Sequence, residues 1–124
     1  MPRILLIDDD AAMRELLRFV LEEEGYTVIE AADGAEGLQW YQADPTDLVI
    51  TDLHMPGMDG LELLQTLQRA VPTPVLMAIS GNREALTQAQ GLTPHTFAKP
   101  LPLEQVLAAV RNLDLPHRSY GETA

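Results

Sequence analysis

Asp47-Leu48-Val49-Ile50-Thr51-Asp52-Leu53-His54-Met55-Pro56-Gly57-Met58-Asp59-Gly60 is the stretch on which the fold turns. Its first part, Leu48-Val49-Ile50-Thr51, is a continuous apolar and β-branched run rather than an alternation. Such a run suits a strand covered on both faces, as in a parallel sheet. The strand ends on an acid, Asp52. Asp59 then stands where it can cap a helix whose apolar positions are Leu63, Leu64 and Leu67. The segment therefore predicts a strand, a carboxylate at its C-terminal end, a loop and a helix.

The same unit recurs on both sides. Ile4-Leu5-Leu6-Ile7, Thr27-Val28-Ile29, Val75-Leu76-Met77-Ala78-Ile79 and, more weakly, His95-Thr96-Phe97-Ala98 predict the other strands. Between them lie helical stripes. Met13, Leu16, Leu17, Val20 and Leu21 share one face, with Asp10 as cap and Gly25 as stop. Asp33 caps a helix carrying Ala35, Leu38 and Tyr41, ended before Pro45. A short helix with only Ala85, Leu86 and Ala89 fits between Asn82 and Gln90. Leu103, Val106, Leu107 and Val110 form the last stripe, with Arg111 suited to its C-terminus. Five βα units predict an α/β fold, a parallel sheet with helices on both faces.

Bulk composition narrows the classes. The chain has 124 residues, one domain by length, and 46% hydrophobic residues, enough for a core without staples. It has no Cys, which excludes disulfides, thiol nucleophiles and thiolate metal sites and fits a reducing compartment. The net charge of −11 argues against nucleic acid or an anionic membrane as a direct partner. No apolar run nears the ~20 residues of a membrane span, and the N-terminus lacks a signal-peptide pattern. A cytoplasmic, soluble protein is expected. The domain is placed at residues 1–113, with residues 114–124 as a loose polar tail.

In an open α/β sheet, ligands bind beyond the carboxyl ends of the strands. Those ends carry Asp8-Asp9-Asp10, Asp52, Ser80-Gly81 and Lys99-Pro100. Clustered carboxylates repel unless a cation is present, and one or two carboxylates with water suit Mg²⁺. A bound Mg²⁺ would keep Asp52 ionised, with an oxygen free to attack phosphorus. Ser80 and Lys99 could hold the other phosphoryl oxygens. Singly, each fragment reads as a cap, turn or loop residue. Together, and all at strand ends, they predict a phosphoryl-transfer site.

These residues resemble the receiver domain of bacterial two-component response regulators over about residues 3–113. The resemblance is carried by Ile4 to Asp10, by Asp47 to Gly60, by Ile79-Ser80-Gly81 and by Lys99-Pro100. It implies a doubly wound, flavodoxin-like sheet of five strands in the order 2-1-3-4-5. It implies that Asp8 and Asp9 bind Mg²⁺, that Asp52 is phosphoacceptor and metal ligand, and that the His54 backbone carbonyl is a ligand. It further implies Ser80 as switch hydroxyl, the Gly81 amide as a phosphoryl contact, Lys99 as the site's amine and a cis bond before Pro100. Implied partners are a histidine kinase or histidine phosphotransfer protein as donor and an output partner or domain. Phosphorylation would act through the face of the fourth helix, fifth strand and fifth helix, with a phosphorylation-dependent homodimer among the outputs. A domain of this kind is a signalling element, not an enzyme, though it assists its own phosphorylation and dephosphorylation.

Some residues depart from the family pattern. Thr96 stands where an aromatic switch is usual, and Phe97 has the opposite strand parity and should face a covered side. Ser80 to Lys99 is a short interval, Thr93-Pro94 replaces the usual entry to the fifth strand, and Pro74 to Ser80 is one residue long, so the fourth strand starts early or bulges. His54 and Asn82 sit two residues beyond acceptor and hydroxyl, where the family tunes dephosphorylation; a surface role is equally open. Trp40 is expected to be partly buried against the sheet, and Met55 and Met58 to pack beside the site. His95 and His117 carry no motif. In a metal-free resting state Ser80 should lie away from Asp52. The start at Met1 and the untagged tail lean toward a stand-alone receiver over a piece of a larger regulator. Two other classes compete: a receiver-like interaction module that works without phosphorylation, and a magnesium-dependent hydrolase, which the lack of a second acid at His54 and of a Gly-rich phosphate loop disfavours.

Overall fold

The computed structural model describes residues 2–55, 57, 59–113 and 115. Pro56, Met58 and His117 lie outside the described residues, as does the tail apart from Leu115. The elements alternate as the sequence predicts: β1 (Arg3–Ile7), α1 (Ala11–Glu23), β2 (Thr27–Ala31), α2 (Gly34–Ala43), β3 (Leu48–Asp52), α3 (Gly60–Gln68), β4 (Val75–Ser80), α4 (Arg83–Ala89), β5 (Thr96–Ala98) and α5 (Leu103–Asn112). The five strands form one sheet in the order β2-β1-β3-β4-β5, and every pairing is parallel. This is the doubly wound α/β architecture expected from the alternation.

Strand periodicity divides the core. Leu5, Ile7, Val49, Leu76 and Ala78 point to one face and pack with Tyr41, Leu63, Leu64, Leu67, Leu86 and Ala89 from α2, α3 and α4. Ile4, Leu6, Leu48, Ile50, Met77 and Ile79 point to the other and pack with Leu17, Leu21, Val106 and Val110 from α1 and α5. Residues of opposite parity are thus buried on opposite faces, which is why these strands read as unbroken apolar runs.

The predicted caps hold: Asp10 accepts from the amides of Ala12 and Met13, Asp33 from Glu36 and Asp59 from Leu61. Asn82, not read as a cap, accepts from Ala85. Gly25, at φ 99°, follows the end of α1 and adopts a backbone that L side chains disfavour. Two stripes need correction. Ala35 is exposed, and α2 instead buries Gly34, Gly37 and Tyr41, because glycines let that helix lie close to β1. Trp40 on the same helix is 44% exposed. Leu16 is likewise exposed, and α1 buries only Leu17 and Leu21.

Near the fifth strand the chain replaces the usual residues with a different device. β4 pairs with β3 in continuous register from Leu48↔Val75 to Asp52↔Ile79, so the extra residue before Ser80 makes no bulge there. Thr93 is buried; its Oγ1 donates to the Leu76 carbonyl (2.6 Å) and accepts from the His95 amide (3.1 Å). The hydroxyl thereby pins the entry of β5 onto β4. Thr93→Val keeps the shape but leaves both backbone groups unpaired, and should lower unfolding free energy by about 1–3 kcal/mol in urea titration. Phe97 packs on the α1/α5 side, as its parity required. Leu115 is also packed into that cluster at 7% exposure.

Candidate functional site

Asp8 and Asp9 follow β1, Asp52 ends β3, Ser80 ends β4 and Lys99 follows β5, all at the C-terminal edge of the sheet. The ladder continues past the strands: Leu53 N–H donates to the Ile79 carbonyl and Lys99 N–H to the Ser80 carbonyl, each at 2.9 Å. Asp52, Ser80 and Lys99 are therefore placed by the sheet rather than by loose loops. The Lys99–Pro100 peptide is cis, as the resemblance implied.

Asp8 is 1% exposed and Asp52 4%, while Asp9 is open to solvent. One carboxylate oxygen from each lies within 4.8 Å of the other two. Each buried acid is held on both oxygens. Asp8 Oδ1 accepts from the Asp10 amide and Asp52 Oδ1 from the His54 amide, both at 2.9 Å. Lys99 Nζ donates to Asp52 Oδ2 at 2.7 Å and to Asp8 Oδ2 at 3.4 Å.

The electrostatics follow from crowding. Burial pushes the Asp8 carboxyl up, the Asp10 amide opposes this, and the charge of Asp52 adds to the rise against that of Lys99. Burial alone would pull the Lys99 ammonium down. The hydrogen bond and charge of Asp52, then those of Asp8, outweigh it and hold Lys99 above its ordinary value. One ammonium among three carboxylates leaves a surplus of negative charge on hard oxygen donors. That donor set fits a small divalent cation such as Mg²⁺, which takes few carboxylates and completes its shell with water.

A cleft of about 490 Å³ opens over these groups, lined by Asp9, Asp10, Asp52, His54, Gly81, Asn82 and Lys99. Ser80 does not line it. Ser80 is fully buried, and its Oγ accepts the Asn82 amide at 2.9 Å. His54 is exposed at the rim, and Met55 packs partly against the α2/α3/α4 core, as expected. One group escaped the sequence reading. Arg14, on the first turns of α1, reaches the Asp8 carbonyl (2.6 Å) and Glu30 on β2 (3.2 Å). A cation one turn beyond the acidic run, on the helix that run caps, was the available signal.

An open parallel sheet in this order thus carries three acids, a buried serine and a lysine at its carboxyl edge. The model of the response regulator receiver domain matches residues 4–111, and the chain belongs to that family. It is 38% identical over 128 aligned positions to the response regulator MprA of Mycolicibacterium vanbaalenii, covering 98% of this chain and 55% of that protein. It is 35% identical over 114 positions to the transcriptional regulatory protein ResD of Bacillus subtilis, covering 90% and 47%. The chain thus spans about half the length of these curated relatives. Among solved structures, the response regulator TrrA of Thermotoga maritima in complex with Mg²⁺-BeF aligns with a TM-score of 0.82 at 28% identity, covering 90% of this chain and 97% of that one. A CheY-like receiver domain protein from Methanospirillum hungatei aligns at 0.83 and 28%, covering 90% and 91%. The chain is a receiver domain of two-component systems, a signalling domain. No helix among the described residues is long and apolar enough to cross a membrane.

Proposed function

We propose that this domain receives a phosphoryl group on Asp52 from a histidine kinase or histidine phosphotransfer protein in the cytoplasm. Asp8, Asp9, Asp52 and the His54 backbone carbonyl would hold Mg²⁺, and Lys99 and Ser80 would hold the transferred group. The observation that carries this reading is the meeting of three carboxylates within 4.8 Å with a lysine shared between the two buried ones.

The transfer balances simply. An Asp52 carboxylate oxygen forms a bond to phosphorus while the P–N bond to the donor imidazole breaks. The imidazole nitrogen keeps the electron pair and takes up a proton. Bound Mg²⁺ would supply charge compensation for the phosphoryl oxygens. Lys99 already lies on Asp52 Oδ2 and supplies a fixed cation beside the oxygens that gain charge. Ser80 Oγ accepts the Asn82 amide outside the cleft, so the hydroxyl would have to turn toward Asp52 to donate to a phosphoryl oxygen. Uptake would shift an existing equilibrium of the α4-β5-α5 face toward a partner or a second copy. With Thr96 in the aromatic position and Phe97 packed into the core, that shift works without the usual ring. The same observation favours, as second reading, an interaction module that needs no phosphorylation.

Intact mass after incubation with Mg²⁺ and a small phosphodonor separates the two. The expected product carries one phosphoryl group, survives acid, is lost in base and does not form with excess chelator. An unmodified protein in the presence of Mg²⁺ would leave the interaction module standing.

A further inference from the structure

We infer that Arg14 is a positioning residue for the acidic site: it clamps the Asp8–Asp9 peptide plane to Glu30 on β2 and so sets the direction in which both carboxylates leave the backbone. This rests on the Mg²⁺-binding reading given above.

Asp8 is tied down at every polar atom of its backbone. Its amide donates to the Ala31 carbonyl of β2 (3.1 Å), and its carbonyl accepts from Arg14 Nη1 (2.6 Å). The Asp8 carbonyl and the Asp9 amide belong to one rigid peptide plane, so a hold on the first orients the second. Asp9 needs such a hold, because its side chain is exposed and the last bond to β2, from the Asp8 amide to the Ala31 carbonyl, is made one residue earlier. Arg14 is held in turn. Its Nε donates to Glu30 Oε1 (3.2 Å), while Glu30 Oε2 accepts Arg18 Nη1 (2.6 Å). Arg14 and Glu30 are mostly buried, with 18% and 22% of their side chains exposed. A planar guanidinium donates along two edges at once, here to a carbonyl and a carboxylate on different elements; a lysine ammonium lacks that fork.

Charge and position make opposite forecasts, which allows a clean test. If Arg14 were only a nearby cation, its removal would relieve repulsion and tighten Mg²⁺ binding. If it positions the acids, its removal loosens them and weakens binding. Calorimetric Mg²⁺ titrations of the full chain, with unfolding midpoints and Asp9 amide shifts recorded alongside, should include Arg14→Gln, Arg14→Lys and Glu30→Gln. Arg14→Gln is expected to bind Mg²⁺ about tenfold more weakly, the lower end of what groups that orient metal ligands contribute. Arg14→Lys should also weaken it, although the charge is kept, and the Asp9 amide should shift in both. Should Arg14→Gln fail to fold, Arg14→Lys and Glu30→Gln carry the comparison. Unchanged or tighter binding in the folded variants would overturn the inference while wild-type binding upholds the site. A wild type that binds no Mg²⁺ would overturn the site reading itself, and the role of Arg14 with it.

Discussion

Asp52→Asn is expected to take up no phosphoryl group at all, whereas Asp8→Asn should still be modified, slowly, and should be the more stable protein when metal is absent. The two acids share a lysine but not a job. In the proposed transfer the Asp52 carboxylate oxygen is itself the group that bonds phosphorus, so the amide would remove the reaction rather than slow it, and added Mg²⁺ should bring nothing back. In the same reading the Asp8 carboxylate only helps hold the cation. Its loss should weaken Mg²⁺ binding at least about tenfold, since the loss of a residue that merely orients a ligand already costs that much. Raising the Mg²⁺ concentration should then recover part of the rate. The stability gain has a definite pH dependence. Burial and the charge of Asp52 raise the Asp8 pKa in the folded protein. Stability is therefore fully present below the unfolded pKa of about 3.9 and is lost as pH rises through the higher folded value. The amide avoids that loss, because Lys99 keeps its closer partner, Asp52, at 2.7 Å. Near neutral pH Asp8→Asn should gain about 1 kcal/mol, a typical gain from relieving a functional site, and the gain should vanish in acid. Thermal scans in chelator at several pH values, beside intact-mass time courses, check both parts. A neutral-pH stability equal to the parent would mean that the acids do not strain one another.

Much of this site was legible because each of its parts ends a strand. Continuous apolar runs announced strands buried on both faces, and the residue after each run then had only one place to be. Asp8, Asp52, Ser80 and Lys99 fell where those runs predicted. Side-chain contacts across elements were not legible. Nothing in a single sequence shows that Arg14 on α1 meets Glu30 on β2, because the pairing depends on how the helix is rotated over the sheet. Rotation is also what misled the reading of α2. Its apolar residues suggested a face through Ala35, but the buried face runs through Gly34 and Gly37, and hydrophobicity does not mark a glycine that serves closeness. Thr93 escaped for a related reason. A buried hydroxyl bridging Leu76 and His95 looks, in sequence, like any loop threonine.

Closeness makes Gly60 the most sensitive apolar position near the site. A Cβ built there would stand 2.4 Å from the Leu53 Cα and 2.6 Å from the Leu53 carbonyl oxygen. Both are backbone atoms, and Leu53 cannot retreat, since its amide is bonded to the Ile79 carbonyl and its side chain is buried beneath α3. Gly60→Ala must therefore push the start of α3 and the loop after β3 apart. Overpacking of this kind costs about 1–3 kcal/mol even where side chains can adjust, and here only backbone can. A loss of about 3 kcal/mol or more is expected, beyond the gain of up to about 1 kcal/mol that alanine brings to a helix. Gly37→Ala is the control. Its Cβ would meet Ile7 Cδ1 at 2.3 Å, a closer approach on paper, but against the far end of a side chain that can change rotamer. It should cost clearly less. Urea unfolding of the two variants orders them, and phosphodonor uptake by Gly60→Ala below its unfolding midpoint should be slowed, because Leu53 follows Asp52 directly. If Gly37→Ala proved the more damaging, the contact between α3 and the loop after β3 would have to be softer than its backbone hydrogen bonds imply.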